Sequence, residues 1–182
     1  MSLQFYKPNY QSKGTACSFW RSSEDNTFWA SLIKQESWNT KTRTGSFSKN
    51  KDNPKKRVIV KFSDTEIAGF IDAIERNAEY SGYHRSDQIV RFKFGPYTPK
   101  KIKVNGEFVA NDKQQGFSLS VTKEDKEDST DSQNYLIGFN YPEGMRLKIY
   151  LQTILMESYK VDYNPQKSSP KEKDEKNEDY DF

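Results

Sequence analysis

The sequence predicts an α+β fold in which two runs of short strands are each closed by a helix. Three observations carry this. From Gly14 onward, short segments alternate apolar and polar residues with period two. Directly after the clearest strand, Ser63-Asp64-Thr65-Glu66 spells a helix capping box. Later, Pro142 opens a second and more apolar helical run.

Residues 1–11 carry Phe5, Tyr6 and Tyr10 without periodicity and read as an N-terminal arm, partly ordered by packing. Gly14 to Trp20 reads as a strand. Thr27 to Gln35 reads as another, with Phe28, Ala30 and Leu32 on one face and Trp29, Ser31 and Ile33 on the other. Ser22 to Asn26 between them is turn chemistry. Trp38 to Ser48 gives a third strand and residues 49–56 a basic loop. Arg57 to Phe62 sets Val58, Val60 and Phe62 against Arg57, Ile59 and Lys61. Ile67, Phe70, Ile71, Ile74 and Ala78 then recur at helical spacing, and the helix is expected to stop near Ser81-Gly82.

The strand pattern restarts at Gln88 to Phe94. Lys101 to Asn105 and Glu107 to Ala110 flank Asn105-Gly106, a hairpin turn signal. Phe117 to Thr122 and Tyr135 to Tyr141 are further strands. The charged stretch 123–133 reads as a mobile loop. Met145 to Tyr159 reads as the second helix, with Asn140 or Tyr141 as its cap. Its apolar residues cover more than one stripe, which implies burial on two sides, the second against another subunit. The domain is thus residues 12–162, and residues 163–182 form a disordered acidic tail.

Charge divides the chain. Residues 1–110 hold 19 Lys/Arg against 11 Asp/Glu; residues 111–182 hold 10 against 15. Opposite-sign halves suggest a cationic surface for a polyanion and an anionic end for something else. No stretch is long and apolar enough to span a bilayer, and no secretory signal is visible, so no membrane partner is expected. Cys17 alone makes no intrachain disulfide and fits a reducing, cytoplasmic setting; it reads as a small buried hydrophobe. No cofactor or metal is expected, because His84 and Cys17 are single. Nor is a catalytic centre. A triad needs more than one isolated histidine, and no glycine-rich phosphate loop occurs.

What remains is nucleic-acid binding. A single strand offers phosphates and open base faces, and cations interleaved with aromatic rings suit it. The candidates are Lys13, Trp20, Arg21, Trp29, Lys34, Trp38, Lys41, Arg43, Lys55, Lys56, Arg57, Lys61, Arg91 and Lys93. Alternation must send part of any strand inward, and the sequence leaves open which of them face outward. Duplex recognition is disfavoured, because the first helix is acidic and the second apolar.

The element order resembles the Whirly family, grouped with the transcriptional-coactivator type of single-stranded-DNA-binding domain. Lys13-Gly14-Thr15-Ala16-Cys17 lies where Whirly proteins carry Lys-Gly-Lys-Ala-Leu. Lys13, Gly14 and Ala16 match; Thr15 replaces the second lysine, whose role does not carry over. Lys61-Phe62-Ser63-Asp64-Thr65-Glu66 resembles the strand-to-helix junction of that superfamily. The resemblance covers about residues 12–160. It implies two antiparallel four-stranded sheets each followed by a helix, and assembly through the helices as a dimer or tetramer. A five-stranded OB-fold barrel is the alternative. Separately, Glu178-Asp179-Tyr180-Asp181-Phe182 is similar to the tails of bacterial and phage replication single-stranded-DNA-binding proteins, whose acidic, Phe-ended tips recruit replication and repair enzymes. Together these imply a phage or microbial protein that binds single-stranded DNA in replication, recombination or repair, with a tail that recruits partners and competes with DNA. An RNA chaperone or transcription regulator on the same fold, and an assembly protein that binds no nucleic acid, are the alternatives.

Overall fold

The computed structural model describes residues 2–24, 26–86, 88–97, 102–109, 116–125 and 132–162. The first sheet contains β1 (Ser2–Lys7), β2 (Thr15–Arg21) and β3 (Phe28–Lys34). A short hairpin follows, β4 (Ser37–Asn39) and β5 (Thr44–Ser46), and then β6 (Arg57–Phe62) completes the sheet. Its order is β1-β2-β3-β6, antiparallel throughout. The N-terminal residues expected as an arm are therefore an edge strand. Leu3 and Phe5 are buried, and Ser2, Gln4 and Tyr6 alternate outward. The third strand expected over 38–48 is instead the β4–β5 hairpin, outside the main sheet.

α1 (Asp64–Arg76) begins where the capping box places it. Ser63 Oγ accepts from the Glu66 amide, and the Glu66 carboxylate accepts from the Ser63 amide at 2.8 Å. The helix ends before the expected Ser81-Gly82. Asn77 takes the left-handed conformation at φ 51° and caps it. The chain then enters β7 (Tyr80–Arg85), where Tyr80, Gly82 and His84 face inward. A glycine and a histidine at inward positions hide that strand's alternation from a hydrophobicity reading.

The second sheet has the order β12-β11-β8-β7, from β7, β8 (Gln88–Pro96), β11 (Gly116–Asp125) and β12 (Ser132–Asn140). β9 (Ile102–Val104) and β10 (Glu107–Val109) form a separate hairpin, turning on Asn105 and Gly106 at φ 50° and 90°. The stretch expected as a loop over 123–133 is largely strand: β11 runs to Asp125 and β12 starts at Ser132. Two separate four-stranded sheets replace the barrel of the OB alternative. The tail, 163–182, lies outside the described residues.

β12 runs straight into α2 (Tyr141–Asp162), four residues earlier than the expected Met145. Asn140 is the cap: its Oδ1 accepts from the Glu143 amide at 2.9 Å, and Glu143 Oε2 accepts from the Asn140 amide at 2.8 Å. Leu147, Tyr150, Leu151 and Ile154 are buried, while Met145, Ile149, Met156 and Tyr159 are exposed. Among the described residues the helix is covered on one side only.

The inner faces of the sheets meet in a phenylalanine-rich core. Phe5 packs on Phe139 with ring centroids 4.9 Å apart, and Phe62 on Phe92 at 5.0 Å. Cys17 is buried there, and burial pushes its thiol pKa up. Both helices approach the second sheet at glycines. A Cβ on Gly69 would lie 2.4 Å from the Tyr80 ring, and one on Gly144 2.4 Å from the Phe117 ring. Among the described residues no helix is long and apolar enough to cross a membrane.

Candidate nucleic-acid interface

The outer face of the first sheet follows from register. Core residues occupy odd positions on β1 and β2 and even positions on β3 and β6. The opposite parity lines up three cross-strand rows: Ser2, Trp20, Trp29 and Lys61; Gln4, Ser18, Ser31 and Ile59; Tyr6, Ala16, Ile33 and Arg57. Trp20 and Trp29 are direct cross-strand partners and both half-buried. Side chains paired in this way stand close enough to act together. Trp29 Nε1 donates to Thr27 Oγ1 at 2.6 Å, which fixes the ring. Lys61 Nζ sits 5.7 Å from the Trp29 ring centroid.

Cations gather at the other end of the face. Arg57 Nε donates to Ser31 Oγ at 3.0 Å, and its guanidinium also donates to the Lys51 carbonyl at 2.9 Å. This draws in the 49–56 loop, where Lys51, Lys55 and Lys56 are exposed. Tyr6 and Ile59 are exposed on the same face. It therefore offers flat rings and an apolar patch, with half-buried Ser18 and buried Ser31 between them, and positive charge along β6.

The remaining sequence candidates lie elsewhere. Arg21 takes core-side parity and stitches β2 to α2: Nη1 donates to the Ile154 carbonyl at 2.8 Å and Nε to the Asn26 carbonyl at 3.1 Å. Lys34 is also on the core side, 4.8 Å over the Tyr135 ring of β12. Partial burial, and then the neighbouring Lys56 ammonium, hold its pKa below the ordinary lysine value. Neither belongs to the tryptophan face. Trp38 is half-buried on β4, and Lys41 and Arg43 are exposed at the tip of that hairpin. Arg91 and Lys93 are on the outer face of the second sheet, paired with Glu124 and Glu79. Lys13 is exposed in the turn before β2, and borders a cleft of about 460 Å³ with Lys7, Tyr97 and Gly138. Lys7 itself is paired with Glu143.

A larger cleft, about 740 Å³, opens beside the tryptophan row. Trp29, Ile59, Lys61, Phe62 and Val90 line it together with Ser63, Thr65, Glu66, His84 and Ser86. His84, expected in a loop, is half-buried on β7, with Nε2 2.7 Å from Glu66 Oε1. Neither Tyr6 nor this cleft is legible in the sequence: Tyr6 sits in a segment without visible period, and the cleft joins residues far apart in the chain. Among the described residues no group of His, Cys, Asp or Glu is placed to hold a metal ion.

No protein-family model matches the sequence, and no curated protein matches it. Solved structures do. Trypanosomal MRP1/MRP2 is 14% identical with a TM-score of 0.60, covering 88% of this chain and 87% of that one. Arabidopsis thaliana WHY3 is 11% identical with a TM-score of 0.58, covering 92% and 95%. The plant transcriptional regulator PBF-2 is 11% identical with a TM-score of 0.54, covering 91% and 88%. At these identities the likeness concerns architecture, and the architecture is Whirly-like.

Proposed function

We propose that this chain binds single-stranded nucleic acid, DNA in the first instance, across the outer face of its first sheet. Bases stack on Trp20 and Trp29. Lys61, Arg57 and the lysines of the 49–56 loop hold phosphates. The observation that carries the reading is the cross-strand row Trp20–Trp29–Lys61, two half-exposed rings and a cation set side by side by register. Nothing in this chemistry asks for sequence readout or for catalysis. The process it serves is replication, recombination or repair in a bacterial or phage-infected cytoplasm. Copies associate through the uncovered side of α2, where Ile149 and Met156 are exposed beside a groove lined by Ile71 and Leu155. Glu178, Asp179, Tyr180, Asp181 and Phe182, outside the described residues, recruit partner proteins and compete with DNA for the cationic face.

Fluorescence anisotropy of labelled oligo-dT tests the reading. Binding should weaken steeply as salt rises, with a slope near −0.7 per phosphate contacted. Duplex should bind less well than a single strand. No binding at low salt would refute the proposal. Deleting 171–182 should tighten oligo-dT binding; an unchanged affinity removes the competition idea. One neighbour is described as a transcriptional regulator, which favours a second reading on the same face. A marked preference for one promoter strand over oligo-dT would support it.

A further inference from the structure

Resting on that reading, we infer that the cleft beside the tryptophan row takes one base out of the bound strand and that it selects guanine. The cleft shares Trp29 and Lys61 with the stacking face, so a strand lying on the sheet passes its mouth. Its volume, about 740 Å³, falls in the range of small-molecule sites. Phe62, Ile59 and Val90 give it apolar walls for a planar ring.

The polar end decides which ring. Glu66 Oε2 is already occupied, accepting from the Ser63 amide and hydroxyl at 2.8 and 2.9 Å. Glu66 Oε1 holds His84 Nε2 at 2.7 Å. A neutral imidazole that donates through Nε2 keeps Nδ1 as an acceptor. Glu66 Oε1 retains a free lone pair as well. The His84 and Glu66 side chains are 32% and 17% exposed, open enough for a base edge to reach and only partly open to water. In the state we infer, with His84 donating through Nε2, this end of the cleft offers acceptors beside the Thr65 and Ser86 hydroxyls, which can donate or accept. Guanine presents two adjacent donors, its ring N1–H and its 2-amino group. Thymine presents one donor between two carbonyls, whereas guanine sets only its O6 against the acceptors and offers two donors, so guanine leaves fewer groups unmatched. Lys61 at the mouth is placed for the phosphate of the turned-out nucleotide.

The test compares oligo-dT with the same oligonucleotide carrying one central dG or one central dI. Deoxyinosine keeps the purine ring for stacking and lacks only the 2-amino group. The dG strand should bind roughly five- to tenfold tighter than the dI strand, the worth of about one retained hydrogen bond. His84→Ala should bring the dG strand down to the dI value, and His84→Gln, which keeps an acceptor, should restore the difference. His84 is the only histidine in the chain, so its ring NMR signals need no assignment. They should shift with the dG strand and move less with the dI strand. Equal affinity for dG, dI and dT strands, with His84 signals unmoved, overturns the inference. If Trp29→Ala still weakens all three, the sheet reading survives that failure; if no strand binds at all, both fall.

Discussion

Trp29→Ala gives the sharpest test of the stacking face. Trp29 stands at the centre of its row, with Trp20 on one side and Lys61 on the other. Its indole N–H is held by Thr27, so the ring is ordered before ligand arrives. Truncation removes one stacking platform, worth ~1–3 kcal/mol per base. The Lys61 ammonium loses its ring too, but that contact is present with and without ligand and cancels from the binding difference. A stacking loss near ~2 kcal/mol corresponds to roughly 30-fold weaker binding of oligo-dT. The slope of affinity against salt should not change, because no phosphate contact is lost. Trp29→Phe keeps a flat ring and should recover most of the loss. Anisotropy at several salt concentrations measures affinity and slope together, and a urea melt shows that the variant is folded. A folded Trp29→Ala protein that binds within about twofold of the parent would refute the stacking argument.

Ser63→Ala removes the α1 cap and should lower stability by about 1 kcal/mol, read from the urea midpoint. Met156→Glu places a charge on the uncovered side of α2 and should convert an oligomer into monomer in sedimentation; an unaltered oligomer refutes assembly through that side. Burial pushes the Tyr135 and Tyr150 phenols up to about 12, with Glu157 adding to the shift at Tyr150. The stability they contribute is complete below their unperturbed value of 10.0 and is lost as pH rises through about 12, so alkaline urea midpoints should fall across that window.

Much of this architecture is written locally. β2, β3 and β6 declare themselves by alternation, and α1 by its capping box. The Asn105-Gly106 turn and the Asn140 cap are equally legible, because each depends on residues within a turn of one another. β1 escapes notice because it is an edge strand whose inward residues, Leu3 and Phe5, are only two in number before Lys7. β7 escapes for the opposite reason. Its inward positions include Gly82, over which the Phe92 ring lies, so the apolar contact comes from the neighbouring strand. The candidate site was half legible. Trp20, Trp29, Arg57 and Lys61 were named, but their company depended on register. The fates of Arg21 and Lys34 depended on α2 and β12, more than a hundred residues away along the chain.

The two glycine contacts set a tolerance limit on the whole molecule. At Gly69 and Gly144 the helix backbones rest against aromatic rings with no room for even a methyl group. Any replacement acts as a wedge, tilting a helix away from its sheet rather than carving a hole. At position 144 that tilt would pass along α2 to its uncovered side. Association through that side, if it forms as proposed, should weaken with an alanine at 144.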